Sequence, residues 1–268
     1  MDRRETREII LSIVTLALLA AIPWLPHVPQ DPGYHRFADT RTLFGIANAM
    51  DTLSNLAFIG VGLTGVWLLL SGRLPPATSA AGATAGLFFM GLVATGLGSG
   101  WYHAQTPPDD AGLAVDRYGM VIAFAGVLGL AAAHKVSERA GWSMGWLAVV
   151  AGPAAVWWWT QHGNLAPYAV MQFGGMLVLV MILFWRSGSA GPNWGLLVGC
   201  YALAKVFEAA DAQIFHLTAQ IVSGHTLKHL AAAGAGVAVI MPLISRRDQV
   251  AATRSQVQTA GNGAIKSG

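Results

Sequence analysis

The chain has 268 residues, of which 54% are hydrophobic and only 11% charged, about half the charged share of a soluble globular domain. That balance argues against a soluble fold. The formal charge of +3 comes from basic residues gathered in loops and tails beside apolar stretches, so it marks membrane topology and not a nucleic-acid partner. A single cysteine, Cys200, excludes an intrachain disulfide and a cysteine-rich metal site.

The apolar residues form stretches long enough to cross about 30 Å of hydrocarbon, which takes about 20 helical residues each. In chain order they cover roughly residues 9–27, 52–71, 82–103, 112–134, 142–159, 167–186, 193–213 and 224–244, which makes eight. The expected fold class is all-α, a polytopic transmembrane helix bundle in one domain over 1–245, followed by a polar tail over 246–268 expected to be disordered or surface-bound. The first stretch follows Arg3, Arg4 and Arg7, and no small-residue cleavage site comes before Pro23, Trp24 and Pro26. It reads as an uncleaved helix.

Lys and Arg accumulate on the cytoplasmic side near helix ends. With the amino terminus inside, Arg73, Lys135, Arg139, Arg186, Arg246 and Arg247 also fall inside. The loops around Pro107 to Asp110 and around His162 and Asn164 then face out without a base, whereas the first outer loop carries Arg36 and Arg41. Both termini are expected in the cytoplasm. Glycines within the stretches, such as Gly96, Gly98, Gly100, Gly174 and Gly175, predict close helix packing. The Trp157, Trp158 and Trp159 run at the outer end of the fifth stretch is read as an aromatic belt.

Ionisable groups inside hydrocarbon cost about 2.5–3.5 kcal/mol each on insertion scales, so they usually face the bundle interior and serve a purpose. Here they are Asp51; His103 beside the hydroxyl of Ser99; Asp116 with Arg117; Lys205 with Glu208 and Asp211; and His225 with Lys228 and His229. His103 ends the third stretch, Asp116 begins the fourth, and His225 and His229 begin the eighth, all toward the outer face. Residues four apart share a helix face, so His225 and His229 can point at one ion, with His103 as a third imidazole. Three nitrogen ligands and an open fourth position compose a catalytic zinc site, in which the pKa of a bound water falls to about 7. Asp116 is then placed to take the proton, and Ser99 to donate to a carbonyl oxygen gaining charge. Taken alone, the His225 and His229 pair suits haem ligation or a proton relay as well as a metal. Imidazole also suits iron, nickel and copper. His27, His35, His134, His162 and His216 are read as interfacial or hydrogen-bonded side chains, and Lys205 with Glu208 as a buried structural pair.

These residues carry a resemblance. Gly98-Ser99-Gly100-Trp101-Tyr102-His103 is similar to the Gly-Ser-x-x-Phe-His motif of the alkaline ceramidases, which belong with the seven-helix membrane hydrolases that include the adiponectin receptors. Asp116-Arg117-Tyr118-Gly119-Met120 stands where that family has Asp-Glu-Leu-Pro-Met, and only the ends agree. Gly224-His225-Thr226-Leu227-Lys228-His229 resembles its closing His-x-x-x-His, and Asp51-Thr52-Leu53-Ser54-Asn55 its opening Asn-Thr-x-Ser-Asn.

The resemblance covers about residues 34–245 and implies a seven-helix core plus an added N-terminal helix. It implies zinc on His103, His225 and His229, Asp116 as general base, and Ser99 as oxyanion support. The implied activity is hydrolysis of ceramide or a related lipid amide to fatty acid and amine. Asp39 and Asn48 fall at two positions of the calcium site of animal relatives, but Tyr34, His35 and Phe37 replace its other acids, which speaks against calcium. The segment from Tyr34 to Arg41 resembles bacterial relatives, which implies a bacterial inner membrane. The alternatives from other classes are a metal or proton transporter and a lipid-binding receptor with a structural metal. Acyl length, head group and oligomeric state are not written in these motifs.

Overall fold

The computed structural model describes residues 2–185 and 191–242. The tail over 246–268, together with Arg186, Arg246 and Arg247 of the topology reading, lies outside the described residues. Among the described residues the chain is helical, with one isolated bridge between Leu43 and Ile46. The helices are α1 (Arg3–Ala21), α2 (Ala49–Ser54), α3 (Leu56–Leu70), α4 (Ala80–Ala104), α5 (Asp110–Lys135), α6 (Glu138–His162), α7 (Ala166–Ala169), α8 (Gly175–Leu183), α9 (Trp194–Ala209), α10 (Asp211–Leu217) and α11 (224–242). A π-helical turn, Val170–Gly174, joins α7 to α8.

The helix starts follow from local polar chemistry. Ser79, Asp109, Ser137, Asn193 and Ser223 each accept a bond from the amide three residues on, at 2.7–3.1 Å. Each satisfies a donor that a helix leaves unpaired. Gly163, at φ 65°, ends α6 in the left-handed conformation that favours glycine.

Two of the expected helices are interrupted. The stretch at 52–71 begins at Ala49 and jogs at Asn55, because the Ser54 hydroxyl and the Asn55 amide both donate to the Asp51 carbonyl at 2.9 Å. With that acceptor taken by side chains, the Asn55 backbone N–H turns to the Thr52 carbonyl at 3.4 Å. The stretch at 193–213 breaks at Ala210, after which α10 runs on to Leu217.

Five helical stretches are long and apolar enough to cross a membrane: Arg3–Trp24, Ala49–Leu70, Ala80–Ala104, Asp110–Lys135 and Ala166–Leu183. Large apolar side chains such as Leu63, Trp67, Leu97, Val150, Phe173 and Leu177 stay exposed on the outside of the bundle, as expected where the solvent is lipid. The core beneath them is built from Phe88, Phe89, Leu92, Leu128, Leu130, Leu179 and Ile182.

The two ends of the bundle are distinct. At one end Arg7 donates to the Lys135 carbonyl, Ser137 bonds Glu8, and the Ala80 amide donates to Glu138. At the other, the Val28 amide donates to Asn164, His35 meets Asp110, and Arg41 reaches the Ile221 carbonyl. Loops assigned to one side of the membrane from their charges thus meet one another. Of the tryptophan run, Trp157 and Trp158 are exposed as a belt requires. Trp159 is buried, its ring 4.2 Å from the Arg117 guanidinium carbon.

Candidate metal centre

His103 lies in the last turn of α4, and the approach of α4 to α5 sets where it sits. A Cβ on Gly119 would stand 2.4 Å from the Thr95 amide nitrogen, and one on Gly98 would stand 2.8 Å from the Val115 carbonyl oxygen. Only glycine fits both places. The resulting contact brings the segment of α4 that carries Ser99 against the segment of α5 that carries Asp116, and both side chains line one cavity. Gly119→Val is expected to force these backbones apart at an overpacking cost of about 1–3 kcal/mol, read as a lowered unfolding temperature in detergent. Beyond α4, the Asn48 amide donates to the His103 carbonyl at 2.8 Å and fixes the end of the helix.

His225 and His229 occupy the first two turns of α11. Ser223 caps that helix, and its hydroxyl also donates to Asp51 Oδ1 at 2.7 Å, as does the hydroxyl of Thr226 at 2.7 Å. Asp51, fully buried, therefore ties the start of α11 to α2. Asp211 accepts from the His225 amide at 2.8 Å with one oxygen and from the Ala38 amide at 3.1 Å with the other. It joins the outer loop to the same turn of helix. A Cβ on Gly224 would meet the Phe207 carbonyl oxygen at 2.3 Å, so glycine is what lets α11 start this close to α9.

The three imidazoles, all buried, bring their ligand atoms within 4.8 Å of one another. His225 Nε2 and His103 Nε2 are 3.1 Å apart, close to the edge of about 3.3 Å of a tetrahedron with metal–nitrogen bonds of about 2.05 Å. His103 Nδ1 is buried and has no hydrogen-bond partner among the described residues. His229 Nδ1 lies 2.8 Å from the Ser54 hydroxyl, which itself donates to the Asp51 carbonyl. With that hydroxyl proton committed, the ring donates from Nδ1 and keeps its Nε2 lone pair for the cluster, the usual support of a ligating histidine. Ser54→Ala is expected to weaken metal binding about 10–100-fold, measured by competition with a chelator of known affinity.

The three predicted ligands come together, and one of them shares a cavity with the other two predicted residues. Ser99 and Asp116 are buried and line one apolar cavity with His229, Phe58, Leu92, Met120, Phe124 and Leu179. A larger cavity of about 550 Å³ between α1, α6 and α8 includes none of the three histidines, nor Asp116. His35 bonds the Tyr102 hydroxyl at 2.8 Å, and His162 stacks on Trp158 at 3.9 Å, so neither joins the cluster. Glu208 pairs with Lys205 at 2.7 Å as the sequence reading expects, and it has a second partner from another helix, Lys228 at 2.9 Å.

The two residues at calcium-site positions are engaged elsewhere: Asn48 at the His103 carbonyl, and Asp39 with Arg41 at 2.7 and 2.5 Å. Burial pushes the Asp39 carboxyl up, but the Arg41 guanidinium and amide outweigh it and hold the group below its ordinary value.

Phe37 was not foreseen as part of the site. Its ring, on the loop between α1 and α2, lies 4.5 Å from the His103 ring centre and 5.4 Å from that of His225. Nothing in its local sequence distinguishes it from any loop aromatic. Ser54 did carry a signal, through the Ser-Asn pair of the opening motif.

No protein-family model and no curated protein matches this chain.

Proposed function

We propose that the protein is a zinc-dependent membrane hydrolase that cleaves the amide bond of ceramide or a related lipid amide, releasing a fatty acid and an amine. The observation that supports this reading is that three buried imidazoles stand together and that one of them, His229, lines an apolar cavity with Asp116 and Ser99. A metal alone would suit many functions. A metal centre opening on a greasy cavity beside a carboxylate suits hydrolysis of a lipid. The motif resemblance to the alkaline ceramidases supports the same choice and favours zinc. A bound ion supplies a Lewis acid and acidifies a water at neutral pH.

The chain's own residues do the rest. Asp116 takes a proton from the attacking water and returns it to the leaving nitrogen, as microscopic reversibility requires. The Ser99 hydroxyl turns from Asp116 to the carbonyl oxygen as charge gathers there. Met120, Phe124, Val127 and Leu179 take the acyl chain, and Phe37 closes the cluster from the outer side. On this reading α6, α9 and α11 complete an eight-span bundle. Both termini lie in the cytoplasm, the centre lies toward the outer face, and the membrane is a bacterial inner membrane.

The test is release of labelled fatty acid from N-acyl lipids by the zinc-loaded protein in detergent, with proteoliposome ion flux measured beside it. Chelator-sensitive release supports the hydrolase. Ion flux without any release would replace it with the transporter reading, and lipid binding without either would favour the receptor.

A further inference from the structure

Two ammonium groups share the Glu208 carboxylate, Lys205 at 2.7 Å and Lys228 at 2.9 Å. All three side chains line the cavity that holds Ser99, Asp116 and His229. Lys228 also stands 3.3 Å from His225 Nε2, the nitrogen that faces His103 Nε2. Arg117, the residue after Asp116, does not line this cavity: its guanidinium carbon lies 4.2 Å from the Trp159 ring centre, 4.8 Å from that of Tyr168 and 5.5 Å from that of Tyr34. Its Nη2 donates to Gln30 at 2.8 Å, its Nη1 has no hydrogen-bond partner, and no carboxylate pairs with it among the described residues. Two lysines and two carboxylates, Glu208 and Asp116, thus share one cavity. A buried ammonium is costly wherever it lacks an anionic or polar partner.

The position of Lys228 says which part of a ligand it meets. An ammonium has three donors; Glu208 takes one and His225 Nε2 another. Once that nitrogen gives its lone pair to a metal, Lys228 loses the acceptor and has a donor free at the edge of the ion's coordination space. A group bonded close to the scissile amide is what can reach it. Hydrolysis of a neutral amide needs no such cation, since Asp116 and Ser99 already manage the proton and the carbonyl oxygen.

Resting on the hydrolase reading above, we propose that Lys228 binds an anionic group beside the scissile bond. The preferred substrates are then N-acyl amino acids, lipid amides with a carboxylate on the carbon attached to the amide nitrogen, over neutral amides such as ceramides. Lys205 holds Glu208 so that Lys228 can turn to the ligand.

The experiment compares N-palmitoylglycine with N-palmitoylethanolamine, which share a chain and differ by a carboxylate against a hydroxymethyl group. Equilibrium binding and turnover of both are measured on the zinc-loaded full chain, as wild type, Lys228→Gln and Lys228→Arg. Wild type is expected to bind the glycine amide about tenfold more tightly or better, with the preference carried in KM. The preference is expected to fall to within about twofold in Lys228→Gln and to persist in Lys228→Arg, which keeps the charge. Equal binding of the two amides by wild type overturns the proposal. So does an equal loss for both in Lys228→Gln, which would make Lys228 a structural partner of Glu208 or a support for the carbonyl oxygen. A binding preference that Lys228→Gln removes, with neither amide hydrolysed, upholds the anion site and sinks the hydrolase reading instead.

Discussion

Purified wild-type protein kept away from chelators is expected to carry about one zinc per chain, and the His225→Ala, His229→Ala double variant almost none. Two of three imidazoles vanish, and His103 alone, on another helix, cannot retain an ion against a chelator. The hydrogen bonds that start α11 come from Ser223, Thr226, Asp51 and the His225 backbone amide, none of which the substitutions remove. Helix content should therefore hold while metal and hydrolysis are lost together, the latter by about a thousandfold or more, since both carbonyl polarisation and water activation go with the ion. Zinc should raise the unfolding temperature of wild type and leave that of the double variant unchanged, because only a state that binds the ligand is stabilised by it. Elemental analysis of both proteins decides the matter: metal retained at full stoichiometry in the double variant would place the site elsewhere.

Asp116→Asn is expected to keep the metal and lose turnover, by about 10²–10⁴-fold in kcat with KM little changed. The substitution conserves shape and leaves an amide to meet the Ser99 hydroxyl, so packing between α4 and α5 should survive. What it removes is a group able to accept and return a proton. Its separation of binding from turnover is what distinguishes this variant from the histidine pair, which loses both. Unaltered fatty acid release by Asp116→Asn would take Asp116 out of the mechanism and direct attention to Glu208 as the remaining carboxylate of the cavity.

The helices that hold the site were legible from hydropathy, because it is a local property. Ser79, Asp109, Ser137 and Ser223 begin helices close to where the apolar stretches begin. The His103, His225 and His229 cluster was legible for a related reason: i, i+4 spacing fixes a shared helix face, and depth along a helix follows from residue count.

Other features depend on what packs across from a residue, and no local period encodes that. Asp211 shares the i, i+3 spacing of Lys205 and Glu208, yet it follows the helix break at Ala210 and bonds the amides of Ala38 and His225, while Glu208 gains a second cation, Lys228, from another helix. The jog at Asn55 arises because two side chains compete for one carbonyl, and a hydropathy window averages over such competition. Phe37 covers the histidines only because a loop distant in sequence folds over them. The sequence by itself determined a helical membrane chain, the apolar stretches and the identity of the imidazoles, since those rest on composition and spacing along single helices. Only the tertiary structure decided that Ser54 orients His229, that Asp51 and Asp211 anchor the start of α11, and that Lys228 pairs with Glu208, since each is a pairing between segments that meet only when the bundle closes.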